Sequence, residues 1–139
     1  MKKIFLVGLY VFAEICLFAN YWSHQASFHW FTHFYVGGIA ALLGLSIWKL
    51  SSHRRIIWPL AWLLLAHLFA MAPDLFFNFI DLPHGRWMDI FFGHVSSHYM
   101  PGRNSTWYVF FMISFSLYLL VTRKENNRTV ALEKLKNTA

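Results

Sequence analysis

Four long apolar stretches constrain this chain more than any other feature of its sequence. A helix needs about 20 mostly apolar residues to cross the hydrocarbon core of a bilayer, and each stretch is close to that length. The stretches cover residues 4–22, 31–50, 57–80 and 105–121. In a chain of 139 residues they leave room only for short connections. The sequence therefore predicts an all-α integral membrane protein, with residues 1–139 forming a single four-helix transmembrane domain.

Composition and chain chemistry argue against the other classes. Apolar residues make up 58% of the chain, too many for a disordered protein, and Cys16 is the only cysteine, so no disulfide scaffold can form. The first stretch follows Lys2 and Lys3, as in a signal peptide. It is longer than a signal peptide's apolar region, contains Glu14 and lacks a small-x-small cleavage site. We therefore expect it to remain as the first transmembrane helix.

Basic residues predict the orientation of the bundle. All Lys and Arg residues except Arg86 and Arg103 precede the first stretch, lie from the end of the second stretch (Lys49) to the start of the third, or follow the fourth. By the positive-inside rule, both termini are then cytoplasmic, most simply at a bacterial inner membrane. The net charge of +6 is thus a topology signal, and such dispersed charges do not indicate nucleic-acid binding. We expect residues 123–139 to form a solvated cytoplasmic tail rather than a surface helix.

Histidines are crowded toward the predicted outer side of the membrane. His29 and His33 are four residues apart at the start of the second helix, and His94 and His98 are four apart before the fourth. Residues with this spacing project from one face of a helix. Asp74 lies near the outer end of the third helix, so the two pairs and this carboxylate can converge. Zinc prefers such ligands, and a catalytic site would leave one position for a nucleophilic water.

Three ionisable residues, Glu14, His67 and Asp74, lie well inside the predicted spans. Because burying such groups in a bilayer costs free energy, their presence indicates pairing or function. Glu14 and His67 lie at similar distances from the cytoplasmic starts of their helices, so we expect them to be partners at mid-membrane. Their contact would either fix helix packing or, if the cavity reaches them, supply a catalytic acid and base. Asp74 follows Pro73, which should kink the third helix and free backbone carbonyls nearby.

The connection between the third and fourth helices is too apolar for a solvated loop. Its residues 86–100 predict one short interfacial helix on or dipping into the outer leaflet. His94 and His98 share a face of this helix with Phe91, whereas Asp89 projects from nearly the opposite face. We therefore interpret Asp89 as an outward anchor and not as a metal ligand.

Three motifs in this order resemble a known family. They are Thr32-His33 followed by small residues, Ala72-Pro73-Asp74, and the segment from Gly93 to His98. Together they resemble the membrane-bound, metal-dependent hydrolase family that includes a LexA-regulated inner-membrane protein. The resemblance implies hydrolysis of a phosphoester or lipid-like substrate, with His33, Asp74, His94 and His98 as ligands. Leu75, Phe76 and Phe77 stand where that family usually has a second acid and a histidine.

Two other functions stay open at this point. In a metal or proton carrier, or an accessory subunit, Glu14, His67 and Asp74 would form a polar path from mid-membrane to the outer side. A haem-binding redox protein would need histidines from two spans at matching depth, but only His67 lies deep. The second helix also has a small-residue face that suits close packing within one chain or in a homo-oligomer. Its members are Gly37, Gly38, Ala40, Ala41 and Gly44.

Overall fold

The computed structural model describes residues 2–23, 27–80 and 85–138, and all regular structure in these ranges is helical. The helices are α1 (Lys2–Ser23), α2 (Ser27–Ser52), α3 (Pro59–Ile80), a 3₁₀ helix (Arg86–Ile90), α4 (His94–Ser97) and α5 (Arg103–Thr138). Four of them, α1, α2, α3 and α5, are long and apolar enough to span a membrane. This confirms the predicted all-helical fold with four candidate spans.

Helix α2 is the centre of the bundle. It packs extensively against α5 and α3, whereas α1 makes a looser contact with α2 and α3. A Cβ atom added to Gly37 would lie 2.6 Å from the Ala66 carbonyl oxygen of α3, and one added to Gly38 would lie 2.6 Å from the Phe111 ring of α5. These glycines therefore allow the close helix approach that drives packing in membranes. Part of the small-residue face is thus used inside the chain.

The bundle has two chemically different ends. At one end, the Tyr21 hydroxyl of α1 contacts Asp74 of α3, and Thr32 of α2 contacts Asn104 of α5. We call this the site end. At the other end, His53 after α2 contacts Glu125 of α5 through a 2.7 Å hydrogen bond. Because this second end also carries exposed Lys and Arg side chains, we call it the basic end.

The connection over residues 86–100 differs from the single helix that the sequence predicts. A 3₁₀ helix ends at Ile90, and α4 makes only one turn from His94 to Ser97. Between them, Phe92 and Gly93 both have left-handed backbones, with φ of 55° and 71°. Two consecutive left-handed residues cannot continue a right-handed helix, and glycine makes the second one inexpensive.

Helix α5 also differs from the prediction at its C-terminal end. It continues without a break from the fourth span through the expected solvated tail to Thr138. The sequence over this helix contains neither glycine nor proline, so nothing in it forces a break. Glu125 ties the helix to the loop after α2 through His53, and Arg128 approaches Glu125 one turn later at 3.9 Å.

Candidate metal centre

Asp74 lies at the centre of a polar cluster at the site end. Its Oδ2 atom lies 3.1 Å from His33 Nε2 and accepts a 2.8 Å hydrogen bond from the Tyr21 hydroxyl. Its Oδ1 atom lies 3.2 Å from His94 Nε2. One carboxylate therefore collects side chains from α1, α2 and α4.

Local backbone features position these groups. His33 lies in the second turn of α2, and its side chain is only 1% exposed. Asp74 follows Pro73, whose missing amide hydrogen disturbs the hydrogen-bond ladder of α3 at this level. The nearby Ala70 carbonyl accepts a 3.1 Å hydrogen bond from His94 Nδ1. Whether Pro73 itself frees a carbonyl at this level stays a prediction.

The two imidazole rings at Asp74 are parallel but differ in their hydrogen bonds. His33 and His94 stack with 4.4 Å between ring centroids and an interplanar angle of 7°. Since a carbonyl can only accept, His94 Nδ1 must donate to Ala70, and a neutral His94 then carries no hydrogen on Nε2. His33 Nε2 approaches Asp74 at ion-pair distance but is not oriented for a hydrogen bond. Both rings thus present Nε2 to the same carboxylate.

A set of hydrogen bonds fixes the short segment that carries His94. The Ser97 hydroxyl donates to the His94 carbonyl at 2.8 Å, and Trp107 Nε1 of α5 donates to the Ser97 carbonyl at 3.0 Å. Asp89 accepts from the backbone amide and the hydroxyl of Ser96 at 2.8 and 2.6 Å. These bonds lower the pKa of Asp89. Asp89 therefore braces the turn that carries His94.

His98 and His29 extend the cluster toward the surface. The His98 ring lies 4.5 Å from the His29 ring and 5.3 Å from the rings of both His33 and His94, measured between centroids. Two overlapping groups of ligand atoms result, one from His29, His33 and His98 and one from His33, Asp74 and His94, each within 4.8 Å. Burial and the neighbouring histidines lower the pKa of His98 to about 4, so its ring is neutral near pH 7, as a metal ligand must be.

Glu14 and His67 form a separate buried pair. His67 Nδ1 lies 2.9 Å from Glu14 Oε2, as their matching depths predict. Trp30 and Phe34 both present their rings edge-on to His67, with centroid distances of 5.4 Å. His67 is two turns of α3 from Asp74, about 10 Å along the helix. The acid and base role of this pair therefore stays a prediction.

Sequence reasoning missed Tyr21, although a signal for it exists. Glu14 and Tyr21 are seven residues apart on α1, as are His67 and Asp74 on α3. Both helices begin at the basic end and run in the same direction, so one contact between them predicts another two turns later. Adding seven to each member of the Glu14–His67 pair gives the observed Tyr21–Asp74 pair.

Comparisons with known proteins do not assign this geometry to a family. No family model, curated protein or solved structure matches the chain. The function must therefore be inferred from the chain's own residues and their contacts.

Proposed function

We propose that this protein is a membrane-embedded, metal-dependent hydrolase with a zinc site, or a site for a similar divalent metal, at the site end. Its ligands are His33, Asp74 and His94, with His98 and His29 beside them. One observation carries the proposal: two parallel, buried imidazoles present Nε2 atoms to the two oxygens of one partly buried carboxylate, at 3.1 and 3.2 Å.

With neutral rings, one contact of this arrangement lacks a partner. His94 donates Nδ1 to Ala70, so its Nε2 lone pair faces Asp74 Oδ1, and two acceptors meet. A proton on His94 Nε2 would satisfy the contact of that ring, whereas a divalent cation would satisfy both rings at once. The parallel Nε2 atoms of His33 and His94 favour the cation, because imidazole nitrogens and a carboxylate are ligands that zinc prefers.

The residues divide into holding and orienting roles. His33, Asp74 and His94 hold the ion, and the Ala70 carbonyl orients His94 through Nδ1 in the manner usual for metal-bound histidines. The Tyr21 hydroxyl orients Asp74. A zinc ion bound in such a site lowers the pKa of a water and polarises a phosphoryl oxygen, which is the chemistry of phosphoester hydrolysis.

The surroundings favour a lipid-like substrate at the outer face of a bacterial inner membrane. Phe69 of α3 contacts the rings of Phe91 and Phe92, which directly precede the His94 segment, and these rings are partly exposed. An amphiphile could therefore place its apolar part there and its polar ester near the metal. The distribution of Lys and Arg supports cytoplasmic termini and an outward-facing site.

Elemental analysis of detergent-purified protein tests the metal site first. We expect about one zinc per chain in the parent, with loss in Asp74→Asn and reduced content in His98→Ala. Glu125→Gln is the matched control, because it removes a carboxylate that contacts a histidine, His53, at the basic end and lies outside the cluster. A parent that binds no divalent metal, even after loading, would rule out the hydrolase; a zinc-loaded parent that cleaves no phosphoester or lipid would leave only a metal site.

A second candidate function rests on the Glu14–His67 pair. Glu14 Oε1, His67 Nε2 and Trp30 Nε1 are buried and make no hydrogen bond, which is uncommon for polar atoms inside a bundle. We infer that an ion or proton carrier would use these groups together with Asp74. Proton flux into liposomes, abolished by Glu14→Gln and unaffected by zinc removal, would favour this alternative.

A further inference from the structure

Two apolar clefts open at the basic end, beside the loop that joins α2 to α3. One cleft of about 700 Å³ lies between α1 and α3, and another of about 720 Å³ lies between α2 and α3. Arg55, Ile56 and Ile57 line both clefts. This loop segment therefore separates two neighbouring cavities, and each has the volume of an ordinary ligand pocket.

The loop has a defined backbone. It is flanked by His53 and Trp58, whose φ angles of 56° and 61° are uncommon for residues other than glycine. The His53 amide donates to the Lys49 carbonyl at 3.1 Å, and the Trp58 carbonyl accepts from Ala61 at 3.0 Å. Arg55 is thus presented from a fixed turn between two helices.

The mouths of the clefts carry positive charge. Lys3 lines the α1–α3 cleft, Arg55 lines both clefts, and both side chains are exposed. Within residues 2–23, 27–80 and 85–138, neither cation lies within ion-pair distance of a carboxylate. Trp58 lines the α1–α3 cleft and Trp48 lines the α2–α3 cleft, and tryptophan is enriched at the bilayer interface. Apolar walls below unpaired cations match an anionic amphiphile.

We propose that this end of the protein binds one anionic glycerophospholipid. Its phosphate contacts Arg55 and Lys3, and its two acyl chains occupy the two clefts on either side of Arg55. The lipid has one anionic phosphate for the two cations and two acyl chains for the two clefts, so it matches the site in charge and in the number of its chains. Basic pockets between membrane helices bind such headgroups in this way. The cations of this site lie at the opposite end from Asp74, although the α2–α3 cleft extends along the helices as far as Phe92. The proposal does not depend on the proposed hydrolase.

Native mass spectrometry of the delipidated protein tests the charge requirement. Phosphatidylglycerol and phosphatidylcholine with identical acyl chains are titrated against the full chain. Each cation near the membrane surface strengthens binding of an anionic lipid by about fivefold, so Lys3→Gln with Arg55→Gln should remove roughly 25-fold of the preference for phosphatidylglycerol. The matched control, Arg123→Gln with Lys124→Gln, removes two exposed cations that line neither cleft and should leave the preference intact.

A second pair of variants tests the cleft itself. A Cβ atom at Gly44 meets no atom within 4 Å, and Gly44 lines the α2–α3 cleft. The Gly44→Leu variant should therefore fold, and its leucine side chain should fill the cleft and weaken the binding of both lipids. Gly8 also has open space at its Cβ but lines neither cleft, so Gly8→Leu should bind lipid like the parent.

Three results would overturn this site. They are equal binding of the two lipids by the parent, a preference that survives the loss of Lys3 and Arg55, and unchanged binding by Gly44→Leu. The zinc content measured on the same samples keeps the two proposals apart. Asp74→Asn should lose zinc and retain its preference for phosphatidylglycerol.

Discussion

The histidine–carboxylate arrangements at Glu14 and at Asp74 differ in the number of side chains that each carboxylate contacts. Glu14 contacts His67 through one oxygen, and aromatic rings from α2 cover the pair. Asp74 uses both oxygens and contacts His33, His94 and Tyr21. The same residue types thus form an isolated pair midway along two candidate spans and a multi-histidine cluster at one end of the bundle.

A candidate metal site therefore differs from a packing contact mainly in the number of histidines that converge on one carboxylate. An acidic residue inside a candidate span does not by itself make the distinction. The Glu14–His67 pair offers two ligand side chains, fewer than the three or four that zinc requires. The Asp74 cluster offers three in direct contact and two more within reach. We therefore expect substitutions in the pair to change stability and substitutions in the cluster to change metal affinity.

The largest effect should come from breaking the buried pair. Glu14→Ala leaves His67 buried without its partner, and loss of one member of such a pair costs about 3–5 kcal/mol. Reversible unfolding in mixed micelles measures this. If the two residues act as a pair, Glu14→Ala with His67→Ala should cost less than the sum of the single substitutions. Additive losses would show that the contact contributes little.

Zinc affinity, unlike stability, should depend on Asp74 and not on Glu14. Asp74→Asn should weaken zinc binding at least about 100-fold, because removing a ligand exceeds the 10–100-fold effect of an outer-shell substitution. Glu14→Gln should leave the affinity within about twofold, since Glu14 lies two helical turns away. Titration against a chelator of known affinity measures both variants. A comparable loss in Glu14→Gln would mean that the pair and the cluster form one site.

Sequence patterns predicted the features that follow from helical periodicity and hydropathy. Four spans follow from the length of the apolar stretches, and the pairing of Glu14 with His67 follows from equal depth. The approach of His29 and His98 to His33, and of His33 and His94 to Asp74, follows from four-residue spacing at one end of the bundle. Each of these inferences needs only the rise and twist of a helix.

Features that depend on tertiary contacts or on backbone exceptions were not predictable in the same way. Phe92 takes a left-handed conformation that its side chain disfavours, so the break before His94 has no sequence signal beyond Gly93. The Ala70 carbonyl is a backbone group, so no residue type in the sequence indicates that it accepts a hydrogen bond from His94. Tyr21 follows from the Glu14–His67 pair only when the contact and register of α1 against α3 are given.

Tyr21 should have a moderate effect on the cluster and none on the pair. Tyr21→Phe removes the hydroxyl that donates to Asp74 at 2.8 Å and should weaken zinc binding about tenfold, as expected for an outer-shell group. Tyr10→Phe is the matched control, because Tyr10 lies two turns or more deeper on α1, near Glu14. The same chelator titration compares them. Equal affinities in parent and Tyr21→Phe would show that Asp74 needs no orienting group.

The smallest effect concerns pH and the partly exposed rim of the cluster. Burial and neighbouring histidines lower the pKa of His98 from 6.5 to about 4, so between these values the unfolded chain binds the proton more readily. Folded-state stability should therefore fall as pH drops from about 6.5 toward 4, and solvent screening should keep this part to about 1 kcal/mol or less. Unfolding of chelator-treated protein across this range should show a shallower decline in His98→Gln than in the parent. Parallel declines would place the His98 ring in water rather than against His33 and His94, and would remove it from the set of metal ligands.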